Sequence, residues 1–144
     1  MTLHCVVDAS VAIKLFLLEP LSHRADALFD LLSNSPPARF YVPDLFFAEC
    51  ANILWKYVRH FGYSAKTAHQ DLSDLLNLPF RVTPTADLVE DALELAVTHD
   101  ITIYDAVYVA LGQRLSLPLV TADEALVRRL ADTGLDVRSL TDWP

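Results

Sequence analysis

Leu3-His4-Cys5-Val6-Val7-Asp8-Ala9-Ser10-Val11-Ala12-Ile13 is the stretch on which the fold turns. Leu3 to Val7 is a short apolar run, and a run of that length reads as a strand buried on both faces. It ends on Asp8. From Ala9 the apolar residues move to helical spacing, through Ile13 and Leu17, and Glu19-Pro20 stops them. A buried strand that runs straight into a helix is the first half of a parallel β-α unit.

The same alternation continues outward. A second helix is expected over about Leu21 to Leu32, with Ala25, Leu28, Phe29 and Leu32 at helical spacing. After the loop Asn34-Ser35-Pro36-Pro37, Phe40-Tyr41-Val42 reads as a second buried strand closed by Pro43. Asp44 starts a long helix to about His60, ended by Gly62, and Ser64 caps another that Pro79 terminates. Phe80-Arg81-Val82 is a third strand, Thr85 to about His99 a helix, and Thr102 to about Leu115 a very apolar helix. Leu117 to Val120 gives a fourth strand, Thr121 opens the last helix, and Val137-Arg138-Ser139-Leu140 adds an edge strand. Strands alternating with helices predict a parallel sheet covered on both faces, with ligands beyond the carboxyl ends of its strands.

With 144 residues, 53% of them hydrophobic, and a mean hydropathy of +0.29, one domain spanning 1–144 with a real core is expected. No apolar run approaches the ~20 residues that span a bilayer, and Met1-Thr2-Leu3-His4 lacks the features of a signal peptide. Cys5 and Cys50 lie inside apolar stretches without metal-ligand spacing, which suits buried thiols in a reducing, cytoplasmic setting. A net charge of −8 argues against a passive nucleic-acid binder, which would carry a basic patch.

Most of the nineteen acidic residues fall on polar faces, Asp71, Asp74, Glu90, Asp91 and Glu94 among them. Four do not. Asp8 and Asp123 stand at the carboxyl ends of expected strands, where each has a structural alternative. Asp8 could be a helix cap. Thr121 and Glu124 have capping-box spacing, leaving Asp123 to favour the helix dipole. Glu49 and Asp105 are embedded in Leu45-Phe46-Phe47-Ala48-Glu49-Cys50-Ala51 and Ile103-Tyr104-Asp105-Ala106-Val107-Tyr108-Val109. A cap with Thr102 could explain Asp105, and a solvent-facing stripe could explain Glu49. Neither has a Lys or Arg within a turn, and buried carboxylates need compensation. A hard divalent cation such as Mg²⁺ or Mn²⁺ takes oxygen ligands and would provide it. These four residues carry half of the net charge, so an acidic protein with bound cations can still meet phosphate.

Four segments taken in order resemble the motifs of PIN domains, in particular the VapC toxins. They are Val6-Val7-Asp8-Ala9-Ser10, Pro43 to Leu54 with Glu49 followed three residues later by Asn52, Thr102 to Gly112 around Asp105, and Leu119-Val120-Thr121-Ala122-Asp123. The resemblance implies an α/β fold, a three-layer α/β/α sandwich with a mostly parallel five-stranded sheet. It also implies a metal-dependent endoribonuclease with one or two Mg²⁺ (or Mn²⁺) ions held by Asp8, Glu49, Asp105 and Asp123. Ser10 and Thr121 would orient carboxylates. Asn52, Lys56 and Lys14 are candidates for RNA contact, with a solvated charge as the alternative for both lysines. The chemistry implied is hydrolysis by a metal-activated water, leaving a 5′-phosphate and a 3′-hydroxyl.

The partners implied are an RNA substrate, a small VapB-like antitoxin and a second copy of the chain, with no membrane. Phe29, Phe46, Phe47, Trp55, Tyr57 and Phe61 could supply such surfaces, although core packing accounts for most of them. The alternative function is a catalytically silent PIN domain that binds RNA or proteins as a scaffold. A receiver domain would need paired acids after the first strand and a late Lys, and a haloacid-dehalogenase phosphatase would need Asp where Ser10 stands.

Overall fold

A computed structural model describes residues 2–143; Met1 and Pro144, the bounds of the expected domain, lie outside the described residues. Five strands form one sheet in the order β3-β2-β1-β4-β5: β1 His4–Val7, β2 Arg39–Pro43, β3 Arg81–Thr83, β4 Leu119–Thr121 and β5 Val137–Ser139. Every pairing is parallel, so the sheet is wholly rather than mostly parallel. Among the described residues seven α-helices flank it in a three-layer sandwich: α1 Ala9–Ala12, α2 Ser22–Asp30, α3 Leu45–Phe61, α4 Ala65–Leu76, α5 Val89–His99, α6 Ile103–Leu115 and α7 Glu124–Leu130.

The sequence explains the centre of the sheet. Cys5, Val6 and Val7 are fully buried in succession, as a strand covered on both faces requires. Burying each valine is worth about 1.5–3 kcal/mol over leaving it exposed. Tyr41 pairs with Val6 on one side, Leu119 on the other. The chain winds outward from β1 to β2 and β3, then crosses back through α5 and α6 to place β4 against the free side of β1. The direction of winding therefore reverses between β1 and β4. At such a reversal the connections diverge and leave a crevice at the strands' carboxyl ends.

Several boundaries differ from the sequence expectation for local reasons. The first helix keeps α-geometry only to Ala12 and tightens to a 3₁₀ turn over Ile13–Leu15 rather than running to Leu17. The helix expected from Thr85 begins with a 3₁₀ turn, Thr85–Asp87, and becomes α-helical at Val89. Thr121 closes β4 instead of opening α7, because its backbone carbonyl accepts from Leu140 N at 2.9 Å in the β5 direction. Asp123 caps α7 in its place. Asp71, expected on a polar face, is buried and accepts a hydrogen bond from the Tyr63 hydroxyl. Of the aromatics divided between core and possible interface, Phe29 and Phe46 are core, while Trp55 and Phe61 stand out into solvent.

α6 is the helix that lies deepest. All residues from Ala106 to Gly112 are buried, and it packs against α5, β1, β2 and β4. A helix apolar on every side belongs in the interior. Its closest approach is at Gly112, where an added Cβ would sit 2.9 Å from the Leu117 carbonyl oxygen. In an open helix, Ala would gain about 1 kcal/mol over Gly. Here the obstacle is backbone, which yields poorly. Gly112→Ala is thus expected to lower the urea midpoint; an unchanged or raised midpoint would mean that the segment before β4 moves aside without cost.

Candidate active site

The crevice between β1 and β4 is where the four singled-out carboxylates gather. Asp8 follows β1 directly, and Asp123 follows β4 by two residues. Glu49 lies in the second turn of α3, which leaves the end of β2, and Asp105 in the first turn of α6.

Asp8 is the anchor. It is 9% exposed, has the extended backbone of a cap residue, and makes no side-chain cap bond to α1. Its Oδ2 instead accepts from Ser10 Oγ and from Thr121 Oγ1, each at 2.7 Å. The two hydroxyls are themselves fixed. Ser10 Oγ accepts from Ala122 N at 3.1 Å, and Thr121 Oγ1 accepts from Asp123 N at 3.1 Å. The turn after β1 and the turn after β4 are so stitched together around a single oxygen. Among the described residues no side-chain donor reaches Oδ1 of Asp8.

Asp123 is exposed and its Oδ1 caps α7 by accepting from Leu126 N at 3.1 Å. The capping box between Thr121 and Glu124 does not form; Glu124 accepts from Ser139 and Thr141 instead. Asp105 is half-buried, and Thr102 caps α6 by accepting from Asp105 N at 3.1 Å. Glu49 is half-buried rather than on a solvent-facing stripe, and its Oε1 accepts from the Tyr108 hydroxyl at 2.6 Å. Sequence reasoning gave Tyr108 no role. Its signal was a hydroxylated ring one turn after Asp105 in an otherwise apolar helix.

These carboxylates feel one another. Burial is the first cause that pushes Asp8, Glu49 and Asp105 above the ordinary carboxyl range. Mutual repulsion adds to it: Asp123 on Asp8, Asp8 and Asp105 on Glu49, and Asp8 and Asp123 on Asp105, which rises to about 6. Burial together with the Asp8 and Glu49 charges pushes the Tyr108 phenol up as well, so it remains a donor to Glu49. Among the described residues the ion pairs are Lys14–Glu19, Arg129–Asp100 and Arg138–Asp136, and none reaches the four carboxylates. Lys14 is held 3.1 Å from Glu19, which also accepts from the Tyr57 hydroxyl. Asn52 and Lys56 are exposed on α3, one and two turns beyond Glu49.

The donor set suits a hard cation. It offers carboxylate and hydroxyl oxygens, no histidine, and a neighbouring Cys50 whose thiol is buried and pushed up by that burial. Among the described residues no three His, Cys, Asp or Glu side chains close tightly enough to enclose an ion unaided. An ion that keeps several waters and uses one or two carboxylates does not need such a cage. Mg²⁺ and Mn²⁺ fit these residues.

A second feature lies on the flank. α3 and α4 leave an apolar groove of about 290 Å³ lined by Ala51, Leu54, Trp55, Val58, Ala68 and Leu72, among others. On α5, Val89, Leu93 and Val97 form an exposed apolar stripe at four-residue intervals. Among the described residues no helix is long and apolar enough to cross a membrane.

The PIN-domain family model matches residues 5–132. The chain belongs to the PIN-domain family. This PIN domain is 32% identical over 126 residues to Ribonuclease VapC3 of Pyrobaculum aerophilum, an alignment covering 86% of this chain and 92% of that one. It superposes on a crystal structure of a Pyrobaculum aerophilum protein with a TM-score of 0.70 and 26% identity, over 97% of this chain and 85% of that one. A toxin–antitoxin complex from Klebsiella pneumoniae shares the fold, with a TM-score of 0.67 and 17% identity over 94% and 97% of the two chains. The chain is a VapC-like PIN domain.

The raised carboxyls make stability depend on pH with a definite sign. Folded Asp8, Glu49 and Asp105 hold their protons more tightly than they would in the unfolded chain. Stability from this source is full below about pH 4 and is lost as pH rises through about 6, where Asp105 ionises. In EDTA, urea midpoints are expected to fall between pH 4.5 and 7, less steeply in Asp105→Asn. A midpoint that rises over that interval, or the same slope in the variant, would contradict this electrostatic account.

Proposed function

We propose that this PIN domain is a Mg²⁺- or Mn²⁺-dependent endoribonuclease acting as the toxin of a toxin–antitoxin pair. The observation that carries the proposal is a buried, doubly anchored Asp8 close enough to Glu49 and Asp105 for mutual repulsion, with no ion pair among the described residues to offset them. The 32% identity to a protein named as a ribonuclease supports it.

Asp8, Glu49 and Asp105 would hold the cation, with Asp123 contributing through its outer oxygen. When bound, such an ion supplies an activated water and offsets charge on the phosphoryl group in an in-line displacement. The chain's own residues provide the rest. Ser10 and Thr121 orient Asp8 and offset part of the burial that raises its carboxyl, since hydrogen bonds to the charged form favour it. Asn52 and Lys56 extend the site along α3 toward an RNA strand, Lys56 as an exposed phosphate contact. Lys14 is paired with Glu19, which makes it the weaker candidate for phosphate contact. The products would be a 5′-phosphate and a 3′-hydroxyl. A silent scaffold would have no need to keep three acids together against their repulsion, so that reading is less well supported.

The α3–α4 groove is the surface proposed for the antitoxin, because it is lined mainly by apolar side chains, the exposed Trp55 among them. The α5 stripe is proposed as the face of a homodimer. Free, buried Cys5 and Cys50 suit the reducing cytoplasm.

RNA cleavage by the protein with Mg²⁺ or Mn²⁺ tests the enzyme directly. Cleavage is expected with either ion and is expected to fall to the EDTA background in Asp8→Asn purified in the same way. Equal cleavage by both proteins would trace the activity to a contaminant, and Mn²⁺ failing to bind at all would remove the basis of the proposal. Trp55→Asp, in the groove wall, is expected to lose co-purification with the antitoxin while leaving RNA cleavage intact.

A further inference from the structure

Tyr108 is 1% exposed, in the midst of the buried run of α6. A phenylalanine would fill that space without burying a hydroxyl, and a buried hydroxyl needs a partner. Among the described residues its hydrogen bond goes to Glu49 Oε1, across 59 positions of sequence. The bond joins two helices with different neighbours. α6 packs chiefly on α5, β1 and β2, whereas α3 packs chiefly on α4 and α1. Nothing else among the described side-chain hydrogen bonds holds the Glu49 carboxylate.

The pattern matches that at Asp8. There both hydroxyls converge on Oδ2, and Oδ1 is clear of side-chain donors. At Glu49 the phenol takes Oε1, and Oε2 is clear. Each acid is thereby fixed by one oxygen and offers the other. One-oxygen donors suit small octahedral ions that keep their waters, in contrast to the two-oxygen carboxylates that larger cations accept. A glutamate is also long, and its free rotamers would have to be ordered at the moment an ion binds. A buried phenol that orders them beforehand removes that cost.

Resting on the reading of Glu49 as a ligand, we propose that Tyr108 is a positioning residue that holds Glu49 as a one-oxygen donor to the divalent cation. Its effect travels through Glu49 alone. The consequence is a coupling between two side chains on different helices that a purely packing role would not produce.

Mn²⁺ binding followed by the electron paramagnetic resonance of the free ion reads this without any need for RNA. Four proteins are compared: the native chain, Tyr108→Phe, Glu49→Ala and the double variant, with urea midpoints in EDTA as the control for folding. Tyr108→Phe keeps the ring that fills the core. It is expected to weaken Mn²⁺ about tenfold, the lower end of what losing a ligand's orienting partner costs. In the Glu49→Ala background, the same change is expected to weaken Mn²⁺ no further. Native affinity in Tyr108→Phe would overturn the proposal, as would an undiminished loss in the Glu49→Ala background, which would assign Tyr108 to packing. A native chain that fails to bind Mn²⁺ would overturn the ion-site reading itself, a result distinct from either.

Discussion

The burial of the Asp8 carboxylate at the end of the central strand is the constraint from which the rest follows. β1 is flanked on both sides, so whatever follows it stands at the middle of the sheet's carboxyl edge. Placed there, a carboxyl cannot be solvated freely, and Ser10 and Thr121 donate to it in partial compensation. Those donors come from opposite sides of the reversal in winding. Thr121 is 113 positions from Asp8, yet their bond ties the turn after β4 to the turn after β1. The site and the closure of the sheet are thus one arrangement of atoms.

Around that anchor the chain gathers like charges where stability alone would disperse them. Glu49 and Asp105 are half-buried and, among the described residues, have no ion-pair partner, while Lys14 is paired with Glu19. Proteins hold such frustrated groups where function requires them and compensate elsewhere. Compensation here comes from the unbroken apolar packing of α6 against β1, β2 and β4. That packing also fixes the level at which Asp105 enters the crevice. A divalent cation would relieve the repulsion and supply the reactivity at the same position.

Much of this was legible in the chain. Strand followed by Asp followed by helix, repeated with shorter signals, identifies the parallel sheet and the edge at which these carboxylates gather, because periodicity is a local property. The motifs around Asp8, Glu49, Asp105 and Asp123 were readable for the same reason. What stayed hidden was the set of partners. Thr121 and Glu124 have the spacing of a capping box, but Thr121 is drawn to Asp8 and Glu124 to Ser139, so tertiary bonds displaced the local one. Asp71 looks like a polar-face residue until Tyr63 folds over it. Tyr108 reads as core, since only the folded chain brings Glu49 to its hydroxyl. In each case the decisive bond joins elements that sequence spacing does not relate.

The most direct measurement is anomalous diffraction from crystals soaked in Mn²⁺ near neutral pH. The account predicts a strong peak in the crevice at the ends of β1 and β4, within ligand distance of a carboxylate oxygen of Asp8. A peak located only elsewhere on the protein, with Asp8 bonded solely to Ser10 and Thr121, would contradict it.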